Sequence, residues 1–123
     1  MRKLNSKLKT NVKARAFVLS LNTIDLCNDL PNKKAVWVIT DQLLRSSMSI
    51  GANITEAKAA SSRLDFKKFY EIALKSSHES IYWLSLLKMS KLSSADKIDP
   101  LINEVDEISR MLGKSVITLK TKK

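Results

Sequence analysis

Hydrophobic side chains recur every three or four positions along four stretches of this chain. That spacing places them on one face of an α-helix. We predict helices over residues 9–28, 33–60, 65–91 and 99–119. Leu30-Pro31-Asn32 stops the first helix, because proline cannot continue it. Asp99-Pro100 opens the last, with aspartate as the cap and proline in the first helical position.

Four helices with three short connections favour an all-α, antiparallel up-down-up-down four-helix bundle. A length of 123 residues is that of a single domain, here residues 1–123 with basic, flexible ends. No run of 18 apolar residues is present to cross a membrane. The single Cys27 excludes an internal disulfide and suits a reducing compartment, so we expect a cytoplasmic protein.

The second predicted helix contains small and polar residues around Gly51. Glycine costs a helix interior about 1 kcal/mol relative to alanine, so we expect another backbone to approach closely there. Asn53 and Glu56 lie three positions apart on one helical face, next to the expected close approach at Gly51. We interpret them as a structural polar network that fixes the register of the bundle. A ligand pocket lined by the same two side chains is the alternative.

The distribution of charge along the chain indicates a function. The chain has 22 Lys and Arg against 12 Asp and Glu, a net charge of +10. The excess lies in residues 1–24 and 108–123, which hold no acid. In an up-down-up-down bundle these two ends meet, so we predict one basic patch that binds RNA or DNA electrostatically. Its predicted members are Arg2, Lys3, Lys7, Lys9, Lys13, Arg15, Lys114, Lys120, Lys122 and Lys123.

A second group of basic residues surrounds the connection between the second and third predicted helices. Its members are Arg45, Lys58, Arg63, Lys67, Lys68 and Lys75. Acidic residues interleave with them, which favours an ordinary solvated face. The pattern indicates no aromatic platform of the kind that stacks single-stranded bases.

The apolar stripe on the second and third predicted helices is wider than one bundle core can cover. Residues 35–39 are apolar on every side of the helix, and Tyr82 and Trp83 widen the stripe of the third helix. Such a surface is typical of an interface, so we expect a homo-oligomer. The alternative function is therefore a protein–protein interaction scaffold that uses exposed apolar surface around Trp37 and Trp83.

The pattern does not support enzymatic or metal chemistry. The only histidine, His78, belongs to neither a Glu-x-x-His di-iron motif nor a His-Glu-x-x-His zinc motif. Gly51 and Gly113 stand apart, so no phosphate-binding glycine loop is present. We predict no catalytic residue, no metal and no cofactor.

Five segments together resemble a known family: residues 43–57, 65–66, 72–79, 82–84 and 107–112. Their combination is similar to the bacterial four-helix-bundle proteins related to those encoded in intervening sequences of 23S ribosomal RNA genes. The similarity covers about residues 12 to 120. The chain departs from the commoner pattern at Gly51, where proline often sits, and at Ala57, where glycine often follows the glutamate.

This resemblance implies a four-helix up-and-down bundle and a ring-like homopentamer. Wider relatives include the accessory proteins of diversity-generating retroelements, which bind nucleic acid and a reverse transcriptase through a basic surface. The resemblance therefore implies RNA or DNA as a partner of the same kind that the charge distribution indicates.

Overall fold

The computed structural model describes residues 1–121, and four α-helices contain most of them. They are α1 (Val12–Asn28), α2 (Lys34–Lys58), α3 (Arg63–Met89) and α4 (Ala95–Thr121), preceded by a short 3-10 helix at Ser6–Leu8. The described residues include no strand. Each helix packs on the next, and α4 also packs on α1. The predicted all-α four-helix bundle is confirmed.

Side-chain caps fix the starts of two helices. The Oδ1 of Asn11 accepts a hydrogen bond from the backbone N–H of Ala14 at 3.0 Å, so α1 begins at Val12 rather than at residue 9. The Oγ of Ser62 accepts one from the N–H of Asp65 at 3.1 Å, so α3 begins at Arg63. Each cap satisfies one of the backbone donors that a helix start leaves unpaired.

The start of α4 differs most from its predicted position, because the helix begins at Ala95 and Pro100 lies inside it. Proline has no N–H, so the carbonyl of Asp96 loses its helical partner. Asp96 is exposed, and water can take that place. The Ile98 side chain is completely buried, and its burial stabilises the extra turn.

The core is aliphatic and runs the length of the bundle. Burying one such side chain contributes about 1.5–3 kcal/mol. The largest fully buried aliphatic members of the core are Leu19, Leu43, Ile50, Ile54, Leu84, Leu87, Ile98, Leu101, Ile108 and Leu112. Among the helices of residues 1–121, none is long and apolar enough to cross a bilayer.

Pairs of serine hydroxyls set the register of α2 against α3. The Oγ atoms of Ser46 and Ser80 lie 2.9 Å apart. Those of Ser49 and Ser76 also lie 2.9 Å apart. The residue number rises along α2 as it falls along α3, so these two helices run in opposite directions.

Two ion pairs show that α4 also lies beside α3 and runs in the opposite direction. The Nζ of Lys88 lies 2.7 Å from the Oδ1 of Asp99 near one end of the pair. The Nζ of Lys120 lies 3.8 Å from the Oε2 of Glu71 near the other. The last turns of α4 therefore lie beside the first turns of α3, next to the α2–α3 connection.

The N-terminal residues fold back along α1. The backbone N–H of Arg2 donates to the Oδ1 of Asn22 at 3.0 Å, and the Nδ2 of Asn22 donates to the carbonyl of Arg2 at 3.1 Å. The Arg2 guanidinium lies 3.5 Å from the Asp25 carboxylate. Met1 therefore lies beside Asp96, in the first turn of α4. The prediction that the two chain ends meet is wrong for the first residues, because Met1 and Lys120 lie at opposite ends of the bundle. The start of α1 does lie beside α4, where the Nη1 of Arg15 is 3.8 Å from the Met111 sulfur.

Gly51 marks a close approach between α1 and α2, as its position predicts. A Cβ atom built on Gly51 would lie 3.6 Å from the Cβ of Ala16 and 3.8 Å from the Ala16 carbonyl carbon. These distances are ordinary van der Waals contacts. The space therefore accepts a methyl group without a clash.

We expect Gly51→Ala to raise the free energy of unfolding by about 0.5–1 kcal/mol, because alanine removes the helix cost of glycine without a clash. Urea unfolding measures this. Gly113→Ala is the matched control, since a Cβ there would meet no atom within 4 Å. Gly51→Leu should lower the free energy of unfolding by about 1–3 kcal/mol through overpacking against Ala16. A loss of stability in Gly51→Ala would show that the two helices pack more closely.

Candidate nucleic-acid interface

Arg15 was predicted to belong to the basic patch, but it is held by carboxylates of α4. Its Nε donates to Glu104 at 2.9 Å, its Nη2 donates to the second Glu104 oxygen, and Glu107 lies 3.3 Å from Nη2. Only 14% of the Arg15 side chain is exposed. The hydrogen bonds to Glu104 hold the pKa of Arg15 above its usual range against the opposing effect of burial. Its charge is neutralised within the bundle, and its assignment to an open patch is wrong.

The other predicted members of the patch separate into two groups. Arg2 lies against Asp25. Lys3, Lys7, Lys9 and Lys13 are exposed on the N-terminal segment and the first turn of α1, while Lys114 and Lys120 are exposed on the last turns of α4. Lys122 and Lys123 lie outside the described residues. The structure therefore does not bring the predicted set together as one surface.

A different group of cations converges where α2 ends, α3 begins and α4 finishes. Lys58 is the last residue of α2, Arg63 is the first residue of α3, and Lys114 lies two turns before the end of α4. These three side chains line two adjoining open cavities of about 540 and 570 Å³. No carboxylate of the described chain lines either cavity. Within residues 1–121, none of the three forms an ion pair.

Phe66 lies between these cations and forms a wall of both cavities. Its ring packs on Tyr70, one helical turn later, with centroids 4.6 Å apart. The Nζ of Lys58 lies 5.4 Å from the Phe66 centroid and 5.7 Å from the Tyr70 centroid, which is cation–π distance. We call the site formed by Lys58, Arg63, Phe66 and Lys114 the basic cleft.

Sequence reasoning assigned Lys58 and Arg63 to a solvated face and indicated no aromatic platform. Both residues are exposed, as expected of such a face, but Lys114 and Phe66 join them because three helix ends meet there, which no single helical period reveals. The Phe66–Tyr70 spacing of four residues was a usable signal, since side chains at i and i+4 meet on a helix. The acidic residues close in sequence, such as Glu56 and Asp65, do not line the cleft.

The polar network predicted around Asn53 involves different partners from those expected. The Nδ2 of Asn53 donates to the carbonyl and to the Oγ of Ser49, at 2.8 and 3.0 Å. The same Ser49 hydroxyl meets Ser76 across the α2–α3 seam. Glu56 is exposed, and its carboxylate makes no hydrogen bond or ion pair to a described residue, so its assignment to the network is wrong.

The two tryptophans have different environments. The Trp37 side chain, in the first turns of α2, is 64% exposed. Trp83 packs partly against the core, and its Nε1 donates to Glu79 at 3.3 Å. The exposed Tyr82 ring meets Trp83 edge-on, with centroids 4.9 Å apart. Exposed apolar surface is thus present at Trp37, whereas Trp83 mainly contributes to packing.

Reactive side chains are few in the part of the chain that the structure describes. Burial raises the pKa of the Cys27 thiol to about 11, which disfavours the thiolate form. His78 is exposed on α3. No three His, Cys, Asp or Glu side chains of residues 1–121 gather in a way that could hold a metal ion.

The geometry defines a four-helix bundle with an aromatic and cationic cleft at one end. A family model described as 23S rRNA-intervening sequence protein matches residues 8–114. The chain belongs to this family, and the resemblance seen in the sequence is confirmed. It is also similar to the crystal structure of a protein of unknown function from the S23 ribosomal protein family of Bacteroides thetaiotaomicron. The two share 35% identity with a TM-score of 0.80, over 85% of this chain and 97% of that one. No curated protein matches the chain.

We expect Glu104→Gln to lower the free energy of unfolding by about 2 kcal/mol, because it removes the charged partner of a largely buried guanidinium. Urea unfolding measures the change. Glu107→Gln is the matched control: its carboxylate is 58% exposed, so the loss should stay below about 0.5 kcal/mol. Equal losses in the two variants would contradict the special role of Glu104.

Proposed function

We propose that this protein is a non-enzymatic bundle that binds RNA or DNA electrostatically in the cytoplasm, through the basic cleft. The observation that carries the proposal is the convergence of Lys58, Arg63 and Lys114 from three helices, with no carboxylate of residues 1–121 lining the cavities between them. Uncompensated cations attract the phosphate backbone and release its counterions. The ligand predicted from the sequence, RNA or DNA, is retained. Its proposed site is the cleft at one end of the bundle, instead of a patch formed by the two chain ends.

Lys120 extends the same surface. Its Nζ lies 3.8 Å from Glu71, and both side chains are about half exposed. A pair of this kind contributes little to stability, so a phosphate group can replace the carboxylate. The net charge of +10 adds long-range attraction to any polyanion.

We expect binding to a fluorescein-labelled RNA to weaken steeply as salt rises. The variant Lys58→Gln/Arg63→Gln/Lys114→Gln should lower the salt slope by about 2–3, because each phosphate that the protein no longer neutralises lowers it by close to one unit. Fluorescence anisotropy over a salt series measures both quantities. The matched control is Lys33→Gln/Lys34→Gln/Lys97→Gln, which removes the same charge at the starts of α2 and α4.

Two results would contradict this function. One is the absence of binding to any RNA or DNA at low salt. The other is an equal effect of the two triple variants, which would show that total charge, rather than the cleft, determines affinity.

A second role, self-association, has its own supporting observation. Trp37 and Val38 are 64% and 58% exposed in the first turns of α2, and Tyr82 and Met89 on α3 are 60% and 76% exposed. Apolar surface of this kind is typical of interaction sites. We propose that it serves subunit contact in a homo-oligomer, for which the family resemblance implies a pentamer. A different protein partner on the same surface is the scaffold alternative.

We expect light scattering to show an oligomer that Trp37→Lys disperses, because a buried lysine at a subunit contact is left unpaired. Asn103→Lys is the control, since Asn103 is an exposed polar residue on α4. A monomeric wild-type protein would reject self-association and leave the surface to another partner.

A further inference from the structure

We infer that the basic cleft binds one unstacked nucleotide of a single-stranded nucleic acid, with its base against Phe66 and its phosphates on Lys58, Arg63 and Lys114. This inference rests on the proposed function and makes it specific. It names the strand form and the chemical groups that the cleft recognises. A purely electrostatic surface would treat single strands, duplexes and base-free strands alike.

The size of the cleft suits a nucleotide. Its two cavities, of about 540 and 570 Å³, share Phe66, Thr118 and Leu119 as a common wall. Ligand sites for small molecules commonly span about 300–1,000 Å³. A base in a duplex must be unpaired and unstacked before it can enter such a site, whereas a base in a single strand is already available.

Phe66 provides a rigid surface for the base. It is half-buried, and its ring packs on Tyr70, which is only 3% exposed, with the two ring planes tilted by 30°. A ring that is already held in place loses little conformational entropy when a ligand packs on it. Base stacking on a protein aromatic contributes about 1–3 kcal/mol per base.

The cations lie around this ring and come from three separate helices. The Nζ of Lys58 lies over the Phe66 ring, 5.4 Å from its centroid, so this flexible side chain moves from the ring to a phosphate when a base stacks there. Arg63 lines the first cavity and Lys114 lines the second. Ser61 and Ser115 also line the cleft, and hydroxyl groups can donate to phosphate oxygens. An apolar face with cations and hydroxyls on both sides matches a base joined to two phosphates.

The test compares three labelled probes by fluorescence anisotropy: a short oligouridine, an abasic strand of the same length, and a duplex of that length. Phe66→Leu should weaken oligouridine binding at least about fivefold, because leucine packs on Tyr70 but offers no π-face. Binding of the abasic strand should change less than about twofold, because its phosphate contacts remain. Phe17→Leu is the matched control and should leave all three affinities unchanged.

Photo-crosslinking of the wild-type protein to a 4-thiouridine strand gives a measurement that does not depend on a folded variant. We expect the crosslinked peptide to contain Phe66. Crosslinks confined to other faces of the bundle would overturn the inference.

The outcomes distinguish failure of the proposed function from failure of the nucleotide site. Failure of the wild-type protein to bind any probe would reject the proposed function. Binding by the wild type that Phe66→Leu leaves unchanged would overturn the nucleotide site and retain electrostatic binding. An equal loss on the oligouridine and the abasic strand would also overturn it, because stacking would then contribute nothing.

Discussion

The register between α2 and α3 is the constraint on which the rest of this bundle depends. It is set by the hydroxyl contacts of Ser46 with Ser80 and of Ser49 with Ser76. The Ser46 and Ser80 side chains are buried, and a shift of one residue would break the bond between them, leaving each hydroxyl only a carbonyl of its own helix as partner. Small side chains also let the two helices approach closely. Aliphatic burial supplies most of the stability, and the hydroxyl contacts add a directional requirement to it.

This register determines where the ends of the helices meet. It places Lys58, at the end of α2, over Phe66 and Tyr70, in the first turns of α3. The ion pair of Lys120 with Glu71 brings the last turns of α4 to the same place. A cluster of like charges is costly when its members are close. Here the cations stand on three helices around an open cleft, where water and salt screen them from one another.

The helices could be predicted from the sequence because their hydrophobic periods are regular and few residues break them. The site could not, since it depends on contacts between distant parts of the chain. No local pattern indicates that Arg15 meets Glu104, or that the Asn22 amide holds the backbone of Arg2. The start of α4 was misplaced for a related reason, because the burial of Ile98 outweighs the usual preference of proline for the first turn. The sequence determines the net charge of each segment, but tertiary pairing decides which of the charged side chains face solvent.

The reversal of the chain at its N-terminus has a practical consequence for anything attached to the protein. Because Asn22 holds the backbone of Arg2, Met1 emerges beside the first turn of α4, at the end remote from Lys58 and Lys114. A fusion partner or surface tether joined at Met1 would leave the cleft unobstructed. The same attachment made after α4 would begin close to Leu119, which lines both cavities. The N-terminus is therefore the better point for immobilising the protein when the cleft must stay accessible.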